Sequence, residues 1–485
     1  MVSIRGGNAS PFTVSGGIVL RRKARSPSGR FRNGCSFALL LAALAAAAWF
    51  RVDKALRVVP NFTADTLCRE TFVSGRDPAL AFAQIPAKTP GMKHLSGVMT
   101  WNVDRQKREA RVTLAGFLHA RAVHVDGYGC ILDHDAPMPA PIALPSNATI
   151  RDEQEVVTPP PGSPLALALD HVFAAFDDGR PRGTQAVVVM KDGKIVAERY
   201  AEDVTWRTPL SGVSMTKSLT AALAGVLVRD GLLDVKAPGQ IAAWNKPDDP
   251  RRAITIENLL RMESGLDFDE TNSGFDANTH MLYLEDDMAA HALGFARVAA
   301  AGERWAYSSS GIVVVDGLLR EKIGGPAEFT RFAREKLFGP AGMASMILGF
   351  DAKGTFVGST YSAATARDWA RFGELFRNDG VANGKRLLPA GWSDFVASPT
   401  RTAGFGYGAG FWTNRGDSFG ANARVQMGFT PDSYFASGSM GQRVIVIPSH
   451  GIVIARLGRT ADWPDFDIRG AGRLVREVVA ALEAP

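Results

Sequence analysis

Residues 214–229 read SMTKSLTAALAGVLVR, and the interpretation of the whole chain starts from this stretch. It contains no proline, and Lys217 is its only charge before Arg229, so the pattern predicts a buried helix. Ser214 and Lys217 then share one face of the first turn, about 5–6 Å apart at Cβ. A lysine in an apolar wall loses hydration, which favours the neutral amine that can take the serine proton. Unpaired N–H groups at the helix start favour the negative charge of a tetrahedral intermediate.

Two later stretches support a catalytic interpretation of this first one. Residues 302–311 read GERWAYSSSG and form a polar loop that leads into an apolar segment. Residues 434–442 read YFASGSMGQ and run into a β-branched strand, which a turn at 448–451 connects to another strand. A Ser-x-x-Lys pattern by itself also fits a capping serine beside a solvated lysine. The order of the three stretches is therefore more informative than any one of them.

In this order the three stretches resemble the motifs of the serine β-lactamase and penicillin-binding-protein superfamily, which are S-x-x-K, a Y-x-N or S-x-N loop and a K-T-G strand. The tyrosine of the second stretch is similar to the class C branch. Tyr-x-Ser together with Gly-x-x-Gly-Gln most resembles the aminohexanoate-oligomer (nylon-oligomer) hydrolases. The resemblance covers roughly residues 165–485. It implies an α+β fold, with an antiparallel β-sheet flanked by helices and an all-helical subdomain.

The resemblance also implies a role for each matching residue. Ser214 is expected to be the nucleophile, Lys217 its base partner and Tyr307 the residue that passes the proton to the leaving group. The backbone N–H groups of Ser214 and Ser439 are expected to form the oxyanion hole. Further residues are expected to contact the substrate, namely Ser309, Gly438, Gly441 and Gln442.

Two positions depart from the superfamily pattern. Ala436 stands where K-T-G has its lysine, and Ser309 stands where class C enzymes have asparagine. Both missing groups help to hold a β-lactam or a peptidoglycan stem carboxylate, so the expected substrate is a small amide or ester. A penicillin-recognising DD-peptidase or β-lactamase is the alternative, and a non-catalytic membrane-tethered binding protein is a second one. Three residues are pocket candidates by rough position alone: Asp276, Tyr283 and Trp412.

The sequence predicts no metal or cofactor. Its 8 histidines lack H-E-x-x-H or comparable ligand spacing, and no glycine-rich loop precedes a helix as phosphate binding requires. Residues 416–420, GDSFG, match the G-x-S-x-G elbow of another hydrolase fold, which needs a helix after it. No helix is predicted after this segment, so it is interpreted as a polar turn.

The net charge of +6 is unevenly distributed along the chain. Residues 1–34 contain seven bases and no acid, whereas residues 61–485 contain 45 bases and 48 acids. The body of the protein is therefore slightly acidic, and nucleic acid is not an expected partner.

Residues 35–50 are an uncharged apolar run at the short end of membrane-spanning length, which is roughly 17–25 residues. The basic residues 1–34 predict a cytoplasmic tail, with the catalytic domain anchored on the periplasmic side of the membrane. A cleaved signal segment followed by secretion is the alternative.

The remaining segments predict an accessory region, a linker and the catalytic domain. Residues 60–135 alternate strand-like pieces with polar turns, which indicates a small α+β region. Within it Cys68 and Cys130 are expected to form a disulfide that stabilises the fold by ~2–4 kcal/mol in an oxidising compartment. Two unpaired cysteines are the alternative.

Residues 136–164 contain eight prolines and predict an extended linker. Residues 165–485 form the predicted hydrolase domain, with a hairpin turn at 191–194 and helices at 165–176 and 468–482.

Overall fold

The part of the chain that the structure describes contains two larger antiparallel sheets and a helical region. The computed structural model describes residues 52–88, 92–143, 155–461 and 467–483; the predicted tail, 1–34, and the predicted apolar segment, 35–50, lie outside them. The strands are β1 (Met99–Asp104), β2 (Glu109–Leu114), β3 (Leu118–Val125), β4 (Gly129–Leu132), β5 (Thr184–Lys191), β6 (Lys194–Tyr200), β7 (Leu210–Ser211), β8 (Ile347–Leu348), β9 (Ser362–Ala364), β10 (Val381–Ala382), β11 (Lys385–Arg386), β12 (Trp412–Thr413), β13 (Tyr434–Gly438), β14 (Gln442–Ile447) and β15 (Ile452–Gly458). The helices are α1 (Val52–Cys68), α2 (Pro78–Lys88), α3 (Met92–Leu95), α4 (Pro164–Phe173), α5 (Thr216–Arg229), α6 (Ile256–Leu260), α7 (Ala277–Leu284), α8 (Met288–Leu293), α9 (Ser309–Ile323), α10 (Pro326–Ala333), α11 (Ala366–Arg377), α12 (Trp392–Ala397), α13 (Phe419–Met427) and α14 (Ile468–Glu483).

The N-terminal region consists of α1–α3 and a four-stranded sheet in the order β1-β2-β3-β4. Helix α1 buries Ala64, Leu67 and Cys68, which are spaced so that they share one face, against Val112 and other residues of the sheet. The predicted disulfide is confirmed, since Cys68 at the end of α1 is bonded to Cys130 in β4. The bridge therefore fixes the helix to its own sheet.

The central sheet has six antiparallel strands in the order β12-β13-β14-β15-β5-β6. Strands β14 and β15 are buried along their whole length, which explains their continuous apolar sequence. Helices α4 and α14 pack on one face through residues such as Val172, Leu474 and Val475. Helix α11 packs on the other face, where a Cβ at Gly373 would lie 2.5 Å from the side chain of Val453. Glycine at 373 therefore allows this helix to approach the sheet closely.

The predicted α+β architecture is confirmed. The early hairpin is β5–β6, and the closing helix is α14. Between β7 and β12 the chain is helical, apart from a three-stranded sheet in the order β7-β9-β8 and the short β10–β11 hairpin. Strands this short bury little surface and have no alternating pattern long enough to be recognised in the sequence.

Two further segments complete the description. In the described parts of the predicted linker, 136–143 and 155–163, the chain forms neither helix nor strand. The prediction that no helix follows GDSFG was wrong, because α13 begins at Phe419 and the hydroxyl of Ser418 accepts the N–H of Ala421 as its cap. Within the described residues, no helix is long and apolar enough to cross a membrane.

Candidate active site

Ser214 lies in a tight turn that joins β7 to α5. A 3₁₀ turn over Val213–Met215 precedes the helix, and Val213 has a φ of +45°, a conformation that is rare for a β-branched residue. Such a backbone conformation raises the free energy of the folded state by about 1–3 kcal/mol, so it needs support from its surroundings. The hydroxyl of Thr216 gives that support by donating to the Val213 carbonyl at 2.6 Å. The turn leaves Ser214 partly exposed at the start of a buried helix.

Lys217 is buried beneath this serine, with only 1% of its surface exposed. Its Nζ lies 3.1 Å from Ser214 Oγ, 2.9 Å from Ser309 Oγ and 3.0 Å from the carbonyl oxygen of Ser359. An ammonium group would donate to all three oxygens. A neutral amine would donate to two of them and could accept the proton of Ser214.

Tyr307 lies in the loop before α9, next to the same amine. The centroid of its ring is 4.7 Å from Lys217 Nζ. Trp412, a pocket candidate from the sequence, stacks on Tyr307 with ring centroids 5.9 Å apart, and Trp305 and Tyr407 also contact the ring. The structure thus brings Ser214, Lys217 and Tyr307 together in one aromatic-walled site.

Glu270 is a member of this site that the sequence did not reveal. Ser309, which is only 3% exposed, donates its hydroxyl to Glu270 Oε1 at 3.0 Å, and its backbone N–H donates to the same carboxylate. Burial raises the pKa of Glu270, while the nearby charge of Lys217 opposes this rise. Lys217, Ser309 and Glu270 therefore form a continuous hydrogen-bonded chain. Glu270 comes from a loop far from all three motifs, so no local spacing points to it.

The two backbone segments expected to form the oxyanion hole lie side by side. Strand β13 ends at Gly438, where a Cβ would lie 2.5 Å from the Gly212 carbonyl oxygen and 3.1 Å from the Ser214 nitrogen. Only glycine lets the strand end approach the turn at Ser214 this closely. Ser439 follows directly and is partly exposed.

Gly441 and Gln442, which were also expected to contact the substrate, contact the central sheet. Gln442 donates its amide to the Gly458 carbonyl and accepts the Gly458 N–H at 2.9 Å, so its side chain connects β14 to β15. Gly441 has a φ of +85°, and the buried guanidinium of Arg456 occupies the space that a Cβ would need. Both residues therefore shape the turn that carries Ser439.

The two remaining pocket candidates make structural contacts. Asp276 caps α7 by accepting the N–H of Thr279 at 2.9 Å. Tyr283 packs edge-on against Phe62 of α1, with ring centroids 5.4 Å apart. Among the described residues, no three His, Cys, Asp or Glu side chains form a group that could hold a metal ion.

Comparison with known proteins assigns this chain to a family. A sequence model of the family described as Beta-lactamase matches residues 169–477, which is more than half of the chain. The chain therefore belongs to the Beta-lactamase family. No curated protein matches the chain.

Solved structures with the same fold include proteins with several described activities. A putative 6-aminohexanoate-dimer hydrolase from Bacillus anthracis is 19% identical with a TM-score of 0.53, over 75% of this chain and 91% of that one. A penicillin-binding protein homologue from Caulobacter crescentus is 18% identical with a TM-score of 0.52, over 67% and 99%. A family VIII carboxylesterase is 17% identical with a TM-score of 0.50, over 68% and 99%. At these identities the likeness establishes the fold alone.

Proposed function

We propose that the protein is a serine hydrolase that cleaves a small amide or ester through an acyl-enzyme on Ser214. The observation that carries this proposal is the 3.1 Å contact between Ser214 Oγ and the buried Nζ of Lys217. The Tyr307 ring beside that amine supports it further. A nucleophile within hydrogen-bond reach of its base, and a base that is itself oriented, are what covalent catalysis requires.

In the acylation step, Ser214 Oγ attacks the substrate carbonyl carbon and its proton passes to the neutral amine of Lys217. The N–H groups of Ser214 and Ser439 stabilise the resulting oxyanion. Lys217 and Tyr307 then deliver the proton to the leaving nitrogen or oxygen as its bond to the carbonyl carbon breaks. In the second step water attacks the acyl-enzyme and the same base takes the water proton. The base returns that proton to Ser214 Oγ as its bond to the acyl carbon breaks, which releases the acid product and free Ser214.

Glu270 supplies an acceptor for the proton that Lys217 must first lose. One proton moves from Nζ to Ser309 Oγ while the Ser309 hydroxyl proton moves to Glu270 Oε1. Burial raises the pKa of Glu270, so this carboxyl group holds a proton more readily than an exposed one. The transfer converts a charged pair into a neutral pair without exchange with solvent.

The preference for a neutral substrate follows from the strand beside the nucleophile. Ala436 is fully buried at the position where the superfamily has the lysine of K-T-G, so this position offers no cation to a substrate carboxylate. Proteins with the same fold are described as a putative 6-aminohexanoate-dimer hydrolase, a carboxylesterase and a penicillin-binding protein homologue, so the fold is compatible with each of these classes. The missing cation at position 436 favours an amidase or esterase over an enzyme acting on β-lactams.

Labelling with a fluorophosphonate probe tests the nucleophile. Ser214→Ala should abolish covalent labelling and lower kcat/KM on p-nitrophenyl esters by at least about 10³-fold, because the bond-forming atom is removed. Ser418→Ala is the matched control, since this serine belongs to the GDSFG segment and caps α13; it should label normally. Labelling that persists in Ser214→Ala and disappears in Ser418→Ala would contradict the proposal.

A second experiment ranks the substrate classes. It compares the turnover of linear amide oligomers and of a chromogenic cephalosporin by the wild-type protein.

We also propose that the hydrolase acts outside the cytoplasm, with residues 35–50 as its anchor or export signal. The disulfide between Cys68 and Cys130 supports this location, because disulfides form and persist in oxidising compartments. Protease treatment of intact spheroplasts expressing the full chain tests it. Digestion of the hydrolase domain is expected, and complete protection would contradict an external location.

A further inference from the structure

A cavity of about 170 Å³ lies at the end of the central sheet, beside the turn that carries Ser439. Ser439, Met440 and Val213 form part of its wall, and these residues flank the two backbone segments that meet at the nucleophile. We refer to this space as the junction cavity. Its position places it next to the oxyanion hole of the proposed reaction.

The opposite wall of the junction cavity comes from the N-terminal region. Phe62 and Thr66 of α1 and Ile85 of α2 line it, together with Tyr283. The charged groups on this side are paired within the protein: Arg69 donates to Asp65 at 2.9 Å and to the Cys130 carbonyl, and its guanidinium lies over the Tyr361 ring. The wall therefore presents mainly apolar surface and internally neutralised charge.

Glu70, which also lines the cavity, is paired in the same way. It accepts from Arg76 at 3.1 Å and forms an ion pair with Arg459 at the end of the central sheet. This pair joins the N-terminal region to the hydrolase domain along the rim of the cavity. A ligand would thus meet no unpaired charge from Glu70.

One polar group in the cavity has no partner. Gln185 of β5 is only 7% exposed, and its Nε2 donor makes no hydrogen bond. An unsatisfied buried donor is unfavourable, so such groups are normally paired with protein, water or ligand. The N–H groups of Gln185 are therefore available to an acceptor that enters the cavity.

Two measures set the size of a fitting ligand. A cavity of about 150 Å³ holds a benzene molecule, so the junction cavity has room for a group of at least about six heavy atoms. Three strand spacings separate β13, which Ser439 follows, from β5, which carries Gln185. At about 4.8 Å each they span about 14 Å, which a chain of about six to ten atoms covers once the reach of the glutamine side chain is included.

We propose that the junction cavity is the acyl subsite of the enzyme, binding a linear acyl chain of about six to ten atoms whose far end carries a hydrogen-bond acceptor for Gln185. This inference rests on the proposed hydrolase function and specifies its substrate class. In this arrangement the substrate carbonyl lies at Ser214, and the apolar chain runs past Ser439 toward Gln185. The N-terminal region then contributes directly to specificity, because α1 forms the far wall.

Esters of different acyl length test the subsite. Thr66→Trp fills the cavity from α1 and should lower kcat/KM for p-nitrophenyl octanoate at least ten-fold, while p-nitrophenyl acetate stays within two-fold of wild type. Leu56→Trp is the matched control, because Leu56 lies on the same helix, is 39% exposed and does not line the cavity; both esters should be cleaved as by wild type. Equal loss on both esters, or no loss on octanoate, would overturn the proposal.

A second variant tests the acceptor at the far end of the chain. Gln185→Leu keeps the approximate volume and removes the donor. It should lower kcat/KM for the p-nitrophenyl ester of octanedioic acid monoamide, whose terminal amide carbonyl is a neutral acceptor, about ten-fold relative to p-nitrophenyl octanoate, which is the effect of one buried hydrogen bond. An unchanged ratio between the two esters would show that Gln185 does not contact the substrate.

Binding to a protein that cannot turn over separates this inference from the proposed function. Calorimetry of octanamide with Ser214→Ala should show binding that Thr66→Trp abolishes and Leu56→Trp retains. Wild-type protein that cleaves no ester but shows this pattern of binding would refute the hydrolase and retain the subsite. Conversely, if the wild-type protein hydrolyses esters and Thr66→Trp changes neither binding nor rate, the subsite is refuted and the hydrolase is retained.

Discussion

At the scale of single residues, the site couples an amine and a carboxyl group through one serine hydroxyl. The hydroxyl of Ser309 can accept from Lys217 while donating to Glu270. Asp276 and Tyr407 also interact electrostatically with Glu270. A serine at 309 thus provides a path for a proton that an amide side chain would not provide.

Replacing the carboxyl group tests this path. In Glu270→Gln, Lys217 can lose its proton only to solvent, so activity should become more dependent on pH. At about pH 6 we expect kcat at least ten-fold below wild type, and at about pH 9 a much smaller difference, with KM little changed. The measurement is the pH profile of kcat on a p-nitrophenyl ester.

Variants at Ser309 provide the control for this experiment. Ser309→Ala removes the connecting hydroxyl and should reproduce the profile of Glu270→Gln, whereas Ser309→Thr retains a hydroxyl and should restore much of the wild-type profile. A Glu270→Gln enzyme that matches wild type at about pH 6 would contradict the proton path. Glu270 would then serve only to position Ser309.

At the scale of secondary-structure elements, a buried carboxylate ties α8 to the loop between β8 and β9. Asp351 accepts N–H groups from Met288 at 3.0 Å, Lys353 at 3.0 Å and Thr355 at 2.8 Å. Burial raises its pKa to about 6, despite these hydrogen bonds. The folded state therefore holds this proton more tightly than the unfolded chain does.

This shift predicts a pH-dependent stability. Because the folded pKa lies above the unfolded value, the stabilising contribution of the protonated group is lost as the pH rises through about 6. Between about pH 4.5 and 7.5 the loss amounts to about 2 kcal/mol. Asp351→Asn does not titrate, so the difference in unfolding free energy between wild type and variant should shrink by about that amount over this range. Urea unfolding at both pH values measures it, and a constant difference would contradict the prediction.

At the scale of the whole molecule, the N-terminal region and the hydrolase domain share the junction cavity. The disulfide between Cys68 and Cys130 fixes α1, which forms one wall of that cavity, to its sheet. The two cysteines are 62 residues apart, and closing a loop of this length in the unfolded chain stabilises the folded state by up to about 4 kcal/mol. The bridge therefore affects both stability and the shape of the proposed subsite.

Replacing both cysteines tests this contribution. Cys68→Ala/Cys130→Ala should lower the free energy of unfolding by up to about 4 kcal/mol. A reducing agent should lower wild-type stability to the same extent and leave the variant unchanged, as measured by urea unfolding. Equal sensitivity of both proteins to the reducing agent would contradict a stabilising role for this bridge.

Regular elements and motif residues could be predicted because their signals are local in the sequence. The apolar run after Ser214 and the hairpin at 191–194 correspond to α5 and β5–β6. The short strands β7, β8 and β9, and helix α13, were missed because their pairing or capping outweighs a weak local pattern. Glu270 was missed because its role depends on a contact with Ser309, 39 residues further along the chain.

The sequence by itself predicted the helix after Ser214, the three motifs and the α+β class, because each depends on residue types at short spacing or on a family pattern. It left open whether Cys68 and Cys130 are paired, because their separation along the chain does not decide their distance in the fold. Only the tertiary structure decided that Glu270 completes the chain through Ser309 and that Gln442 connects two strands. It also decided that α1 forms a wall beside Ser439. These features arise where distant segments pack together, and burial, close approach and unpaired polar groups exist only after the chain has folded.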